Sequence, residues 1–540
     1  MNEPTRSDTR RTAGAKAVKK GAVKTSPKTS ARKSATTGKA TPKKVAAKTS
    51  AAAKATSRRT RKRGRGAPVW IRHYCQGLGD CHLLRFPKDD GTFWHLLIDC
   101  GIHGSVKGGS EIMDRVVANI ADVAPVIDVL VITHEHIDHV SGFLSAAEHF
   151  GKIAVREVWM AWTENPRDAQ AREFDTFKVQ ALSALQRASL RLDGVAALDA
   201  NTRRVRDGLR GLLGFHFGAK GERVRAARDA GAQLAPKGRI RYLEPSTSPV
   251  VPEGVGNLRV YPLGPPRDTG FFGIRERASE MYSAATASDA AAVRRLDGAL
   301  GSDSVCRPHD EQAPFDPNLG LALDDALGSN EIAEDDQANL RRLVRDVYAG
   351  TGAGSADQRW RRVDGDWLGI SADLAMQLDD RTNNSSLVLA FEFVDSGRVM
   401  LFAADAQVGN WLSWQDTQWD VDGKTVTGPD LLARTVYYKV GHHGSQNATL
   451  KSKGLQLMND PDLSAFIPTN ENDAIKVGWE AMPFRGIMED LTQRAHDRVI
   501  RADDAWLKDN EPDARFRRRS GSLVSVTPGG DGLWVDVEVR

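Results

Sequence analysis

Apolar residues fall in short runs along most of this chain, and each run has the length of a strand. "PVWIRHYCQGLGDCHLLRF" (68–86) and "TFWHLLIDCG" (92–101) read as β-strands, the first broken by a Gly-rich turn. "GSEIMDRVVANIADV" repeats its apolar residues at helical spacing, and the strand "IDVLVIT" follows it. "IAVREVWMAW" (153–162) is the next strand, and this alternation of strand and helix predicts an α/β architecture. Two long polar stretches then interrupt. Residues 164–240 are mostly helical in pattern ("FDTFKVQALSALQRASLRL"), and residues 267–380 mix helix with acidic loop. A strand, "GNLRVYPLGPP" (256–266), lies between them. After them come "SSLVLAFEF", "RVMLFAAD" and "RTVYYKV", and "SGSLVSVTPGGDGLWVDVEV" closes the chain as a hairpin.

The first 66 residues carry no such pattern. They are almost entirely Ala, Lys, Thr, Ser, Arg, Gly and Pro, and with so few large apolar side chains they are expected to be disordered. Their composition resembles the tails of linker histones and histone-like bacterial proteins. The expected organisation is a tail over 1–66 and one body over 67–540, with 164–240 and 267–380 as helical and loop insertions.

Charge sharpens that division. The net formal charge is +5, yet residues 1–66 hold 21 Lys and Arg against two acids, Glu3 and Asp8. The tail is therefore about +19 and the body about −14. Lysine and arginine neutralise phosphates and release counterions, so such a tail is expected to contact nucleic acid without reading its sequence. A solubility tail or a ribosome-sticky linker is the plainer alternative. Four cysteines in 540 residues suit neither a disulfide framework nor a zinc knuckle and fit a reduced compartment. No stretch approaches the apolar length of a bilayer span, and the amino terminus lacks a signal-peptide core. A soluble cytoplasmic protein with no membrane association is the expectation.

The chemistry concentrates in "VITHEHIDHVSGF" (131–143), directly after a predicted strand. Histidine makes up only 13 of 540 residues. Three at fixed places are expected by chance in fewer than roughly one chain in a hundred of this length. Imidazole and carboxylate are the donors that divalent zinc, manganese or iron prefer. His134 and His136, two residues apart on a loop leaving a strand, can point the same way, and Asp138 and His139 can turn to a neighbouring point. Two cations would fit this split set. Four ligands cannot fill two coordination spheres, so further ligands are needed. Asp405 ends the apolar run "MLFAAD" and His442 and His443 follow "YYKVG", both in strand-end positions. Asp99 ends "LLID" and is suited to orienting a ligand histidine from behind.

HxHxDH after a strand, with an acidic strand end before it and Asp and His strand ends after it, resembles the metallo-β-lactamase superfamily. Within it, "GLGDCHLL" (77–84), "NNSSLVLAFEF" (383–393), "KVGHHGS" (439–445) and "LGPP" (263–266) look like the hydrolase domain of ComEC-type DNA-uptake proteins. The resemblance covers roughly 68–540 without the two insertions. It implies an αββα sandwich with two divalent metal ions, Zn or Mn, at one edge of the two sheets. It implies His134 and His136 on one metal, Asp138 and His139 on the other, and Asp405 bridging. One of His442 and His443 would complete the second site while the other touches substrate. The branch's Asn383 and Asn384 stand where many superfamily members carry another ligand histidine, which leaves the first metal thinly held. Met482, in "EAMP", replaces a histidine expected near the carboxyl end.

The function these readings imply is a dinuclear metal-dependent hydrolase, foremost a phosphodiesterase or nuclease acting on DNA or RNA through a metal-activated hydroxide. Asp138, Asp405, His442 and Ser445 are the expected catalytic residues. Lys439 and Ser445 could contact phosphate, although Lys439 could equally be a surface lysine. The alternatives are a hydrolase of lactones, thioesters or phosphorylcholine esters, and a nucleic-acid-binding protein with a degenerate site. A redox site on the same scaffold ranks behind these.

Overall fold

A computed structural model describes residues 67–193, 203, 206–211, 213, 222–246, 248–274, 334–343, 366–447, 449–477, 479, 482–509, 511–516 and 521–540. The expected tail, residues 1–66, lies outside them, as do the parts of the two expected insertions between these ranges.

Among the described residues two sheets carry the structure. The first has eight strands. β1 (Val69–Tyr74), β2 (His82–Pro87) and β3 (Phe93–Ile98) run antiparallel to one another. β4 (Val126–Ile132), β5 (Ala154–Ala161) and β6 (Ile240–Leu243) continue the sheet in parallel with β3. The carboxyl-terminal hairpin, β15 (Leu523–Gly529) and β16 (Trp534–Val539), returns to pair with β1. The second sheet has six strands in the order β14-β13-β12-β9-β8-β7. These are β7 (Leu258–Gly264), β8 (Val388–Phe393), β9 (Val399–Phe402), β12 (Thr435–Lys439), β13 (Ser464–Ile467) and β14 (Val499–Arg501). β9, β12, β13 and β14 are parallel. A separate two-stranded hairpin, β10 (Gln418–Val421) and β11 (Lys424–Thr427), lies between β9 and β12 in sequence.

The apolar runs are continuous because most of these strands are buried on both faces. In β4, Val129 and Val131 point to the layer between the sheets, while Leu130 and Ile132 point to the outer layer. β8 divides likewise, Leu389 and Phe391 inward and Val388 and Ala390 outward. The inter-sheet layer joins Ile71, Leu96 and Trp159 of the first sheet to Met400, Phe402 and Phe466 of the second. α1 (Gly109–Val123) covers the first sheet through Met113, Val116, Val117 and Ile120, the residues its 3.6-residue period places on one face. Leu431, Leu432 and Leu491 belong to the apolar layer outside the second sheet. The result is the expected α/β sandwich of αββα type.

Three helices from the interrupting stretches pack against this frame. α3 (Ala169–Asp193) and α6 (Asp366–Asn384) share an apolar cluster of Phe174, Phe177, Ala181, Leu374 and Leu378. α4 (Glu222–Ala232) packs on the outer layer of the first sheet through Val224 and Ala227. α2 (Ile137–Val140) is a single turn after β4, and α5 (Glu334–Leu343) lies within the second interrupting stretch. The sequence pattern missed β6, β13, β14 and the β10–β11 hairpin. Each has four residues or fewer, too short for periodicity to register. No helix among the described residues is long and apolar enough to cross a membrane.

The Phe391 ring meets Phe86 and Phe402 at centroid distances of 5.6 Å, in the middle of the inter-sheet layer. Phe391→Ala is expected to lower unfolding free energy by about 3–5 kcal/mol, read as a shift of the denaturant midpoint. Leu190→Ala, at a side chain 70% exposed on α3, should change it by no more than about 0.5 kcal/mol.

Candidate metal centre

The site forms where parallel strands of both sheets end. β3 delivers Asp99, β4 delivers Thr133 and His134, β9 leads to Asp405, and β12 leads to His442 and His443. Two glycines let the histidine loop settle close to its neighbours. A Cβ on Gly101 would lie 2.3 Å from the Asp138 carbonyl oxygen, and one on Gly79, at φ +139°, would lie 2.7 Å from it. The backbone N–H of Asp80 instead donates to that carbonyl at 3.0 Å, and the Cys100 N–H donates to His139 O at 2.9 Å.

Asp99 fixes two imidazoles. Its carboxylate accepts from the Thr133 N–H at 2.8 Å, the Thr133 hydroxyl at 2.7 Å and His139 Nδ1 at 2.8 Å. With Nδ1 so engaged, His139 presents Nε2 to the site, 3.2 Å from Asp405 Oδ2 and 3.8 Å from Asp138 Oδ2. The Thr133 hydroxyl, having given its proton to Asp99, accepts from His134 Nδ1 at 3.0 Å and turns His134 Nε2 inward. That nitrogen lies 3.1 Å from His136 Nδ1. His443 is held similarly: its Nδ1 donates to Pro468 O at 2.6 Å, and its Nε2 lies 2.9 Å from Asp138 Oδ2. The backbone N–H of His442 reaches Asp405 Oδ1 at 3.1 Å.

Three candidate groups result among the described residues; Asp80, Asp99 and His139 form one behind the His139 ring, and two face the site, one of His134, His136 and Asp405, the other of Asp138, His139, Asp405 and His443. Within each, the potential ligand atoms lie within 4.8 Å of one another, and all these residues are buried. Asp405 belongs to both that face the site. Asp138 Oδ1 and His139 Nε2 are buried without a well-aligned hydrogen bond. Imidazole and carboxylate donors with such orphaned atoms fit a divalent cation.

The electrostatics agree. Burial raises the Asp138 carboxyl, but His139 and a hydrogen bond from His443 outweigh it and hold it well below the usual range. Asp405 is likewise held low, burial being overcome by His139, His443 and His442. Burial disfavours a charged His139, yet Asp405, Asp138, Asp80 and Asp99 raise it well above an ordinary imidazole. Burial and the neighbouring His139 and His136 keep His134 neutral. The acids around His139 thus favour positive charge at this point, which a bound cation would supply in place of a ring proton.

The other expected residues are placed differently. His442 is only half-buried and lies outside both clusters, so of the two histidines considered as ligands it is His443 that the fold brings to Asp138. His442 Nδ1 is 2.8 Å from the Ser445 hydroxyl, which donates to Asn447 Oδ1 at 2.7 Å. Lys439 is 1% exposed and salt-bridged to Asp80. It is not a surface lysine, and its buried ammonium is matched by that carboxylate. Asn384 is architectural: its Nδ2 donates to Phe272 O at 3.0 Å and its Oδ1 accepts from the Asn410 N–H at 2.9 Å. Asn383 Nδ2 is 3.4 Å from Asp379 Oδ1 on the same face of α6. Met482 packs with Leu78 and Ala474 in a small apolar cluster.

Sequence reasoning gave no role to Asp80, Thr133 or Asp379. Asp80 stands in "GLGDCHLL", and its Oδ2 lies 3.9 Å from His139 Nδ1. Thr133 is the residue before the first histidine, and a strand-end hydroxyl there was the available signal. Asp379 carried none, since it lies on a helix of an interrupting stretch whose packing on α3 has no local mark in the sequence.

Residues 77–206 match the metallo-beta-lactamase superfamily, a stretch that holds Asp99 and the whole HxHxDH motif and stops short of Asp405. Neither the curated proteins nor the solved structures yielded a match. The sandwich is the metallo-β-lactamase-type fold, and the matched superfamily consists broadly of hydrolases that bind divalent metals.

Asp99→Asn keeps the shape but weakens the hydrogen bond that aims His139. It should reduce divalent-metal affinity by about 10–100-fold, measured by zinc titration against a competing chelator.

Proposed function

We propose that this chain is a dinuclear metal-dependent phosphodiesterase that cleaves nucleic acid. The observation that carries the hydrolase reading is the pair of buried clusters sharing Asp405. His134, His136 and Asp405 would hold one cation, and Asp138, His139, Asp405 and His443 the other. Bound there, divalent ions supply the acidity that makes a water nucleophilic near neutral pH and the charge that stabilises a pentavalent phosphate. Asp99, Thr133 and the Pro468 carbonyl fix the tautomers of three imidazoles, so the donor atoms are oriented before anything binds.

His442 has a separate task. The single Ser445 proton goes to Asn447, so the Ser445 oxygen accepts from His442 Nδ1. With its one neutral-state proton on Nδ1, the ring can accept a proton at Nε2, and the imidazolium so formed can pass that proton to a leaving oxygen as a general acid. Ser445 positions that ring.

Charge favours a polyanion over a small ester. The segment 1–66, at about +19, would gather nucleic acid that a body of about −14 repels. The likeness of "GLGDCHLL" and "KVGHHGS" to DNA-uptake hydrolases points the same way.

Purified full-length chain supplied with Mn or Zn should cut single- or double-stranded DNA or RNA, and His134→Ala should lose at least about 100-fold of that rate. Hydrolysis of a lactone, thioester or phosphorylcholine ester with every polynucleotide left intact would replace the nuclease reading. No turnover and no retained metal would leave a nucleic-acid-binding protein. Deleting 1–66 should weaken DNA binding and flatten its salt dependence, the log–log slope falling by about 0.7–0.9 for each phosphate no longer neutralised. Cleavage of a short soluble diester should survive that deletion.

A further inference from the structure

Asp99 serves both cation positions, aiming His139 directly and His134 through Thr133, but the two positions differ in what else supports them. In the second cluster, Asp99 and Pro468 O, both on loops of the sandwich, aim His139 and His443. The first cluster is backed by the helices of the interrupting stretches. His136 is extended (φ −119°, ψ 150°), and Glu135, between the two histidines, is a buried carboxylate. Its Oε2 accepts from Lys178 Nζ of α3 at 2.8 Å and lies 3.3 Å from Arg228 Nη1 of α4. Arg225 Nε of α4 stands 3.5 Å from Oε1. Glu164, just after β5, ties both Lys178 and Arg228 together, at 3.2 Å and 2.6 Å respectively. On the other side, Asp379 Oδ1 of α6 lies 3.9 Å from His136 Nε2.

We propose that α3, α4 and α6 set the first cation position, with Glu135 and Asp379 acting as positioning residues for His134 and His136. The inference rests on the metal-centre reading above. Glu135 is anchored by three basic side chains on two helices, so the backbone carrying His134 and His136 on either side of it cannot shift without breaking buried ion pairs. At 3.9 Å the Asp379 carboxylate acts through charge rather than a hydrogen bond. A negative charge at Nε2 favours the tautomer with its proton there, leaving the Nδ1 lone pair facing His134 Nε2. No histidine is needed where Asn383 and Asn384 stand: Asn384 is spent on Phe272 and Asn410, while Asn383 reaches back to Asp379. The helices therefore tune one position and leave the other to the sandwich.

The test is metal stoichiometry and affinity of the full-length chain, titrated with Zn and with Co, using elemental analysis and the Co absorption bands. Wild type should take up two ions. Lys178→Met and Asp379→Asn should each weaken one ion by about 10–100-fold and leave the other unchanged, and Lys178→Arg should restore the pair. If Lys178→Met does not fold, Asp379→Asn and Glu135→Gln decide. Two ions bound with wild-type affinity in folded variants overturn the inference, as does equal weakening of both. A wild-type chain that binds neither Zn nor Co sinks the metal-centre reading itself, and this inference with it.

Discussion

Four carboxylates, Asp80, Asp99, Asp138 and Asp405, are buried around the imidazole of His139. Carboxylates removed from water are costly unless positive charge lies among them, so this gathering demands cations from within the fold or from outside it. Lys439 answers Asp80 directly. Protonation of His139 and His443 answers the others only in part, and at the expense of nitrogens whose geometry suits them as donors. The rest of the centre follows from that demand. Asp99 and Thr133 turn the ring nitrogens inward, and His442 clasps Asp405 by its backbone.

The sandwich makes such a concentration tolerable by placing the acids on the connections beyond its strands: Asp99 after β3, Asp405 after β9, Asp80 ahead of β2 and Asp138 in α2 after β4. Strands buried on both faces supply a largely apolar floor, and the donor groups of the centre lie beyond the ends of their ladders. The connecting backbone is forced into left-handed conformations at Asp99 (φ 53°), Ala404 (φ 47°), His442 (φ 42°) and His443 (φ 52°). Non-glycine residues there cost of order 1–3 kcal/mol each, and packing on all sides must over-determine them. That four of them surround one centre ties the local strain to the placing of donor atoms rather than to chain reversal.

Legibility in the sequence tracked distance along the chain. The strand β4, the helix α1 and the motif 134–139 were plain because their signal lies within a dozen residues. The joint order of Asp99, Asp405 and His443 was readable because strand ends are themselves marked by apolar runs. Which of His442 and His443 turns inward was not readable, because it depends on two successive positive φ angles. Lys178 lies 43 residues from Glu135, Arg228 lies 93 residues from it, and Lys439 lies 359 residues from Asp80. Nothing local marks Lys439 as buried: a lysine ending an apolar strand has the pattern of a surface cap until its partner from the approach to β2 is in place. Asp379 sits on a helix whose register against the centre is set by Phe174 and Phe177 of another helix.

Charge at the centre also links cation binding to the class of molecule that can enter. With neutral imidazoles, the four carboxylates around His139 and Asp379 beside His136 outweigh Lys439 and leave the pocket net negative, at about −4. A phosphodiester would be repelled, and more strongly in a dry pocket than in water, because the screening is weak there. Two divalent cations would bring that charge to about zero and remove the repulsion, while offering two points of local positive charge to a phosphate. The acidic exterior of the body would still oppose approach over longer distances, where a segment as basic as 1–66 is most effective. On the proposed reading, attraction at long range and attraction at contact would fall to different parts of the chain, one permanent and one conditional on the cations. A neutral ester would gain from neither, and that asymmetry is the physical reason for setting nucleic acid ahead of small uncharged substrates.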